Sequence, residues 1–331
     1  MSTRIGINGF GRIGRSYLRA ALASGADVEV VAINDITSAK TLANLLEWDS
    51  ISGHLDGVSV DGDFIVVGER RIRVFSEREP DQIPWGSVGV DVVVESTGFF
   101  TSEESARRHL VGGARKVIIS APASGDLPSV VLGVNDEVIG DSVEVISNGS
   151  CTTNSLAPLA KVLHDAFGIE HGLMTTVHAY TSDQRLQDAP HSDPRRARAA
   201  ALSTIPTSSG AAKTIGKIIP ELDGKLTGLA LRVPVPVGSI TDLTVKLTHP
   251  ATVEEVNAAF AAAAASGPLA HVLEYSEAPI VSADIVGNPH STIFDAPLTQ
   301  VVGDQVKVFG WYDNEWGFTN RLVELSERLG A

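Results

Sequence analysis

The apolar positions of this chain fall into short uninterrupted runs separated by polar, glycine-rich or helical text. Arg4-Ile5-Gly6-Ile7 reads as a strand, Asn8-Gly9-Phe10-Gly11-Arg12-Ile13-Gly14 as a turn, and the residues to about Ala23 as a helix. A second run, Val28 to Ile33, ends at Asn34-Asp35. Asp91-Val92-Val93-Val94-Glu95 and Lys116-Val117-Ile118-Ile119 have the pattern of buried strands, ending in Ser96-Thr97-Gly98 and Ser120-Ala121-Pro122. Between the two, Ser102-Glu103-Glu104-Ser105 opens a helix. Residues 41 to 90 alternate turn signals with short β-like runs such as Arg71-Ile72-Arg73-Val74-Phe75, which predicts an antiparallel insertion.

Val143-Glu144-Val145-Ile146 is a further strand, and Leu156, Leu159, Leu163 and Phe167 then recur at helical spacing. Pro158 interrupts that stripe, so a kink or a first-turn proline is expected. Gly172 to Val177 reads as a strand with His178 at its end and Thr181 just beyond. Residues 182 to 203 are polar, contain Pro190 and Pro194, and carry Arg185, Arg195, Arg196 and Arg198. A loop of that length is usually functional or interfacial, the alternative being a solvated surface loop. Pro206 to Gly210 precede a helical segment, Ala211 to Ile218, which their hydroxyls and amides could cap, or where they could hold an anion. Gly228 to Leu247 and much of 270 to 311 are β-rich. Thr252 to Glu255 form a capping box before an alanine-rich helix, and Leu322, Leu325 and Leu329 give the last segment a helical apolar face.

The first strand, turn, helix and second strand carry a specific chemistry. Gly9, Gly11 and Gly14 form G-x-G-x-x-G: the first glycine for the tight turn, the second for backbone approach to a pyrophosphate, the third for close helix–strand packing. Asp35 follows Gly14 by 21 residues, where an acid bonds ribose hydroxyls and repels a 2′-phosphate. A dinucleotide site is therefore expected, with NAD favoured over NADP. The small polar residues ending the parallel strands would line its crevice, or are ordinary strand-end turns.

Composition narrows the rest. The 331 residues suffice for two domains, and 43% hydrophobic with 20% charged residues describes a globular protein. A net charge of -14 argues against nucleic-acid binding and leaves anion binding to local groups. No apolar run is long enough to span a membrane, and the start shows no targeting pattern, so a cytoplasmic location is expected. The single cysteine, Cys151, excludes an internal disulfide. It lies between a strand and a helix among Ser150, Thr152, Thr153 and Asn154. A helix start lowers a thiol's pKa, which makes Cys151 a candidate nucleophile; the other reading is a small buried hydrophobe. Of nine histidines, His178 leads into the polar loop and is the candidate general acid–base, or else a satisfied structural histidine.

These motifs, in their order, resemble phosphorylating glyceraldehyde-3-phosphate dehydrogenases over nearly the whole chain. The resemblance rests on Ile7 to Arg15, Ser150-Cys151-Thr152-Thr153-Asn154, His178-Ala179-Tyr180-Thr181, Gly210-Ala211-Ala212-Lys213, Arg232-Val233-Pro234-Val235-Pro236 and Tyr312 to Gly317. It implies an α/β fold: a Rossmann-type doubly wound parallel sheet over 1–149, then an α+β catalytic domain with a mainly antiparallel sheet over 150–314. A C-terminal helix over 315–331 would pack back on the NAD-binding domain. It further implies that Cys151 attacks an aldehyde, that His178 handles the proton, and that hydride passes to NAD to leave a thioester cleaved by inorganic phosphate. Thr181 and Arg232 would hold the phosphate of glyceraldehyde 3-phosphate, while Ser150, Thr152, Arg196, Ser209 and Gly210 line the site of the attacking phosphate. Gly9, Gly11, Arg12, Ile13, Gly14, Asp35, Arg78, Ser120 and Asn314 would bind NAD. No metal is implied, and the 182–203 loop would reach a neighbouring subunit of a homotetramer.

The chain departs from the family pattern at Gly149, where alanine is usual, at Ser155 for a frequent second cysteine, and at Ser209 for threonine. Ala189 and Phe318 replace a common leucine and tyrosine. Competing readings are a relative acting on erythrose 4-phosphate, a semialdehyde dehydrogenase, to which the context of His178 is less suited, and a non-catalytic NAD-binding scaffold.

Overall fold

The computed structural model describes residues 2–140 and 142–330. The chain divides into two compact units, 1–130 with 137–149 and 319–331, and 131–136 with 150–318.

The first unit is built on one sheet with the order Val145–Ser147, Lys116–Ile119, Val92–Glu95, Thr3–Asn8, Val28–Asn34, Arg70–Phe75, Phe64–Val67, Val58–Asp61. The first six strands run parallel, and the last two extend the edge as an antiparallel meander. This is the doubly wound arrangement expected, with the antiparallel insertion where the turn signals placed it. Strand order reverses between Thr3–Asn8 and Val92–Glu95, so the carboxyl ends of these two strands open a crevice. Val92, Val93 and Val94 are buried, as an all-apolar central strand requires. Trp85 packs with Val93, Ala106, Val117 and Ile119 beneath the sheet. One helix, Ala39–Glu47, stands at the start of the stretch expected to hold turns and short β-like runs; Ser38 caps it by accepting from the Thr41 amide, and Leu42, Ala43 and Leu46 bury its inner face. From Thr319 onward the last helix, Trp316–Gly330, belongs to this unit, where Ser16 Oγ meets Thr319 Oγ1 at 3.1 Å and Glu327 accepts from the Asp27 amide.

The second unit carries a mainly antiparallel sheet: Ile205–Ser208, Leu226–Val233, Ile169–Ala179, Ser239–Leu247, Gln305–Tyr312, Thr292–Asp295 and Leu273–Ser276, with Gln300–Val302 paired to Gln305–Tyr312. Two neighbouring pairs are parallel, including Ile169–Ala179 with Leu226–Val233. The helix Cys151–Phe167 crosses one face, and the capping box at Thr252 opens Val253–Ala265 as expected. Cys151–Phe167 is longer than the apolar stripe predicted, because Ser150 caps it by accepting from the Thr153 amide at 3.0 Å. Pro158 lies in its interior, not in the first turn. On the opposite face of the sheet Leu173 and Leu229 are exposed. Residues 182–203 form turns and bends, as a loop of that composition should.

Candidate functional site

In the first unit the three motif glycines have separable geometries. Gly9 has φ +87°, and a β-carbon on it would sit 2.8 Å from the Thr97 amide nitrogen. A side chain there would require the left-handed region and collide with backbone. Gly11 is the N-cap of Arg12–Ser24, and a β-carbon on it would meet open space, so its backbone faces the crevice unobstructed. At Gly14 a β-carbon would lie 2.3 Å from the Gly9 carbonyl, the close helix–turn approach the pattern predicts. Asn8, Gly9, Gly11, Asn34, Asp35, Arg78, Thr97 and Phe99 are among the residues that line a crevice of about 320 Å³.

Asp35 accepts from the Phe10 amide through Oδ2 and from the Thr37 amide through Oδ1, both at 2.9 Å. These bonds fix the carboxylate and leave each oxygen further lone-pair capacity for a diol. The helix N-terminus, the glycine cradle and the anchored acid together fit a dinucleotide. Arg12, the first residue of that helix, pairs through its guanidinium with Asp49. Ser120 Oγ donates to the Glu95 carbonyl at 3.0 Å. Ile13 is half-buried at the head of the helix. Asn314 belongs to the second unit, where its Oδ1 accepts from Gly238 N and Ser239 Oγ.

Behind the crevice lies a cluster that sequence reasoning missed. Glu95, 1% exposed, accepts from Asn8 Nδ2 at 2.6 Å, from the Thr97 amide at 2.8 Å, from the Thr97 hydroxyl, and from His109 Nε2 at 3.0 Å. The roles are fixed from outside. Trp85 Nε1 can only donate, so His109 Nδ1 accepts at 3.1 Å and the ring proton sits on Nε2. The Glu77 amide donates to Asn34 Oδ1, Asn34 Nδ2 donates to Asn8 Oδ1, and Asn8 Nδ2 therefore points at Glu95. Every neighbour of Glu95 is a donor. The one visible signal was an acid ending an otherwise apolar strand.

In the second unit strand register builds the polar site. His178 and Arg232 are direct partners on the parallel strands Ile169–Ala179 and Leu226–Val233. Alternation puts Thr176 and His178 on one buried face, with Ser239, Thr241 and Tyr312 supplied by the next two strands. The first turn of Cys151–Phe167 lies over this face. Thr152 Oγ1 is 3.0 Å and Thr176 Oγ1 2.7 Å from Tyr312 Oη, while Ser155 Oγ is 3.0 Å from Thr241 Oγ1. The hydroxyl of Ser155 is thus used where the family often has a thiol. Cys151 Sγ is 3.4 Å from His178 Nε2, so the sequence-predicted thiol and imidazole meet. Arg232 Nη1 lies 2.7 Å from His178 Nδ1 and donates to the Ala179 carbonyl at 3.0 Å.

The electrostatics correct one expectation. Burial pushes the Cys151 thiol above its ordinary value, outweighing the Arg232 charge and the Thr152 hydrogen bonds that pull it down. The helix start is present, yet it does not leave a depressed thiol in this arrangement. Burial, then the Arg232 charge, lowers His178 to about 3. Arg232 is itself lowered by burial, opposed first by Cys151, and the charges of Arg196 and Asp183 reach it. Arg196 donates to Asp183 at 2.6 Å and to Thr207 Oγ1 at 2.8 Å, and it also approaches Asp193. Ser209 Oγ accepts from the Ala211 amide, and Gly210 is the N-cap of Ala211–Ile218. The Thr181 amide donates to Gln184 Oε1. Ser150 and Thr152 spend hydroxyl contacts on the helix cap and on Tyr312.

A glycine cradle with an anchored acid in one unit, and in the other a buried imidazole flanked by a half-buried thiol and guanidinium, define a dinucleotide-binding protein equipped for nucleophilic chemistry. Residues 3–103 match the family described as glyceraldehyde 3-phosphate dehydrogenase, NAD binding domain, and residues 150–314 match its C-terminal domain. The chain is 60% identical to glyceraldehyde-3-phosphate dehydrogenase of Mycobacterium avium over 337 aligned positions, covering 100% of this chain and 99% of that one. It is 61% identical to that of Mycobacterium tuberculosis (strain ATCC 25618 / H37Rv), with the same coverage. Glyceraldehyde-3-phosphate dehydrogenase 2 of Streptomyces arenae is 59% identical over 333 positions, with 100% and 99% covered. The chain belongs to the glyceraldehyde-3-phosphate dehydrogenase family.

Proposed function

We propose that this chain oxidises the aldehyde of glyceraldehyde 3-phosphate, with NAD and inorganic phosphate, to 1,3-bisphosphoglycerate. The observation that carries the reading is the contact of 3.4 Å between Cys151 Sγ and His178 Nε2, with Arg232 against the same imidazole. Sulfur attacks the aldehyde carbon, its proton passes to His178, and the imidazolium so formed gives a proton to the alkoxide, leaving a thiohemiacetal on Cys151. His178 then takes the hydroxyl proton as the carbonyl re-forms into a thioester. NAD, when bound, supplies the acceptor for the hydride lost from that carbon. Inorganic phosphate attacks the thioester carbon, expels the Cys151 thiolate and leaves as the acyl phosphate.

The role of each group rests on its chemistry. Arg232 and Thr181 anchor the substrate phosphate; Arg196, Ser209, Gly210, Ser150 and Thr152 line the place of the attacking phosphate. Gly9, Gly11, Gly14, Arg12, Ile13, Asp35, Arg78, Ser120 and Asn314 hold NAD. A glycine cradle with no β-carbon on Gly11 supports this, as does an acid where a 2′-phosphate would be repelled. The chain assembles as a homotetramer in the cytoplasm. Exposed Leu186 and Leu202 in the 182–203 loop and the uncovered Leu173 and Leu229 support assembly. Among the described residues no helix is long and apolar enough to cross a membrane. The test is NADH formation from glyceraldehyde 3-phosphate and from erythrose 4-phosphate, each with and without inorganic phosphate. Phosphate-dependent turnover that prefers the triose supports the reading; phosphate-independent turnover that prefers erythrose 4-phosphate overturns it.

A further inference from the structure

Arg196, a ligand of the attacking phosphate in the proposed reaction, is already bound to the protein's own groups. Its Nη1 donates to Asp183 Oδ2 at 2.6 Å, its Nε to Thr207 Oγ1 at 2.8 Å, and its Nη2 to the Ser208 carbonyl at 3.4 Å. Asp193 Oδ2 lies 3.5 Å from Nε, but that carboxylate also accepts from the Thr207 hydroxyl at 2.8 Å and from the Arg195 amide at 2.8 Å. Asp183 alone engages Nη1. It is itself held in place. The Asp193 amide donates to His191 Nδ1 at 2.9 Å, so the proton of the neutral ring sits on Nε2, which faces Asp183 Oδ1 at 3.5 Å. Burial works to raise Asp183, but the Arg196 hydrogen bond and charge, then those of His191, outweigh it and keep the carboxyl below its ordinary range. Its charge also reaches Arg232, where burial, Cys151, Tyr312 and Arg196 weigh more.

Direction and charge can be separated at Asp183. Thr207 and the Ser208 carbonyl engage two of the three guanidinium nitrogens, so the fork keeps its direction on those contacts. What Asp183 adds is a negative charge, placed on the group that has to attract an anion. We propose that Asp183 is a positioning residue that acts through Arg196 to set the affinity for inorganic phosphate: it occupies Nη1 until phosphate displaces it, and its charge opposes any anion that Arg196 then holds. The inference rests on the reading of Arg196 as a ligand of the attacking phosphate. Exchange of partners keeps the guanidinium paired while the site is empty and loosens its grip once the site is full. The acyl phosphate that leaves contains the phosphate that entered, so the same opposition favours product release.

The experiment loads the holoenzyme with acyl group from glyceraldehyde 3-phosphate and NAD in the absence of inorganic phosphate, then follows discharge of the thioester as phosphate is raised. Asp183→Asn keeps an oxygen for Nη1 and removes the charge. At low salt it should lower the half-saturating phosphate by about fivefold, the effect of one unit charge about 4 Å away in water. The maximal discharge rate should not change. The difference should shrink as sodium chloride approaches about 1 M, where the screening length is about 3 Å. A damaged loop would raise the half-saturating phosphate, and an NADH burst equal to that of wild type verifies folding. Arg196→Gln is the second arm and should raise it. If it does, while Asp183→Asn leaves the phosphate dependence unchanged or weaker, Asp183 only orients the fork and the inference is overturned. If Arg196→Gln keeps the wild-type phosphate dependence, the reading of Arg196 itself fails, and the inference with it.

Discussion

Glu95→Gln tests the buried cluster behind the dinucleotide crevice. The carboxylate receives four hydrogen bonds, and its position is tied to three strand ends through Asn8, Asn34 and Thr97 and to a helix through His109. Neither Asn8 nor His109 can turn over, because the Glu77 amide fixes Asn34 and hence Asn8, and the Trp85 indole fixes His109. The least costly amide therefore keeps its oxygen toward Asn8 Nδ2 and His109 Nε2 and turns its NH2 group toward Thr97, whose hydroxyl can accept in place of donating. The Thr97 amide then loses its acceptor at roughly 1–3 kcal/mol, so the substitution should cost about 2 kcal/mol of unfolding free energy. That is a measurable part of the roughly 5–15 kcal/mol that stabilises an ordinary domain. Urea unfolding of wild type and Glu95→Gln gives the stability difference. NAD titration should show weaker binding, because Asn8 and Thr97 also line the crevice. A cost under about 1 kcal/mol with unchanged NAD affinity would show that the donor directions are wrong.

Protonation of His178 supplies a stability test with a definite sign. The unfolded chain takes up this proton near the ordinary value of 6.5, whereas the native state refuses it down to about 3. Its contribution is therefore fully present above 6.5 and is lost as pH falls through that window, at up to about 1.4 kcal/mol per pH unit. His178→Asn should flatten the slope of unfolding free energy between pH 6 and pH 4, about where both states stay above gross acid denaturation. An unchanged slope would place the charge elsewhere. The same variant should lose about 10²–10⁴-fold in single-turnover NADH formation, and a smaller loss would remove it as the general base. Asp35→Asn should improve use of NADP relative to NAD in paired kinetic assays, since it removes the charge facing a 2′-phosphate while keeping an acceptor for backbone; an unchanged ratio contradicts the assignment. Gly149 has φ +65°, so Gly149→Ala should destabilise by about 1 kcal/mol in thermal or urea unfolding, and no change would deny the left-handed backbone there.

Local chemistry was legible in the sequence, and contacts between distant segments were not. The turn Gly9–Gly14 and the acid at Asp35 announce themselves because strand, turn and helix fix their geometry within one supersecondary unit. The caps at Ser102 and Thr252 are legible for the same reason, whereas the helix that Ser150 caps begins a turn before its apolar stripe. The helix Ala39–Glu47 also has its signals, a Ser38 cap and Leu42 with Leu46 four apart, but its apolar stripe is only two turns long and runs straight into turn-rich text. Nothing local to Glu95 indicates Asn8, 87 positions away, as its partner. The expected depression of the Cys151 thiol came from helix position alone. Burial, which depends on the whole sheet beneath it, reversed the direction. Arg232 was identified as an anion group by type, while its place beside His178 is set by the parallel register of two strands, and no sequence spacing states that.

The central claim, that Cys151 carries the acyl group, is tested most directly by trapping it. Enzyme, NAD and glyceraldehyde 3-phosphate are mixed without inorganic phosphate, quenched in acid, and digested for mass spectrometry. The account predicts a phosphoglyceroyl adduct on the peptide holding Cys151, the only cysteine in the chain, formed with one NADH per subunit and discharged on adding phosphate. A full NADH burst with Cys151 unmodified, or an adduct on another residue, would contradict it.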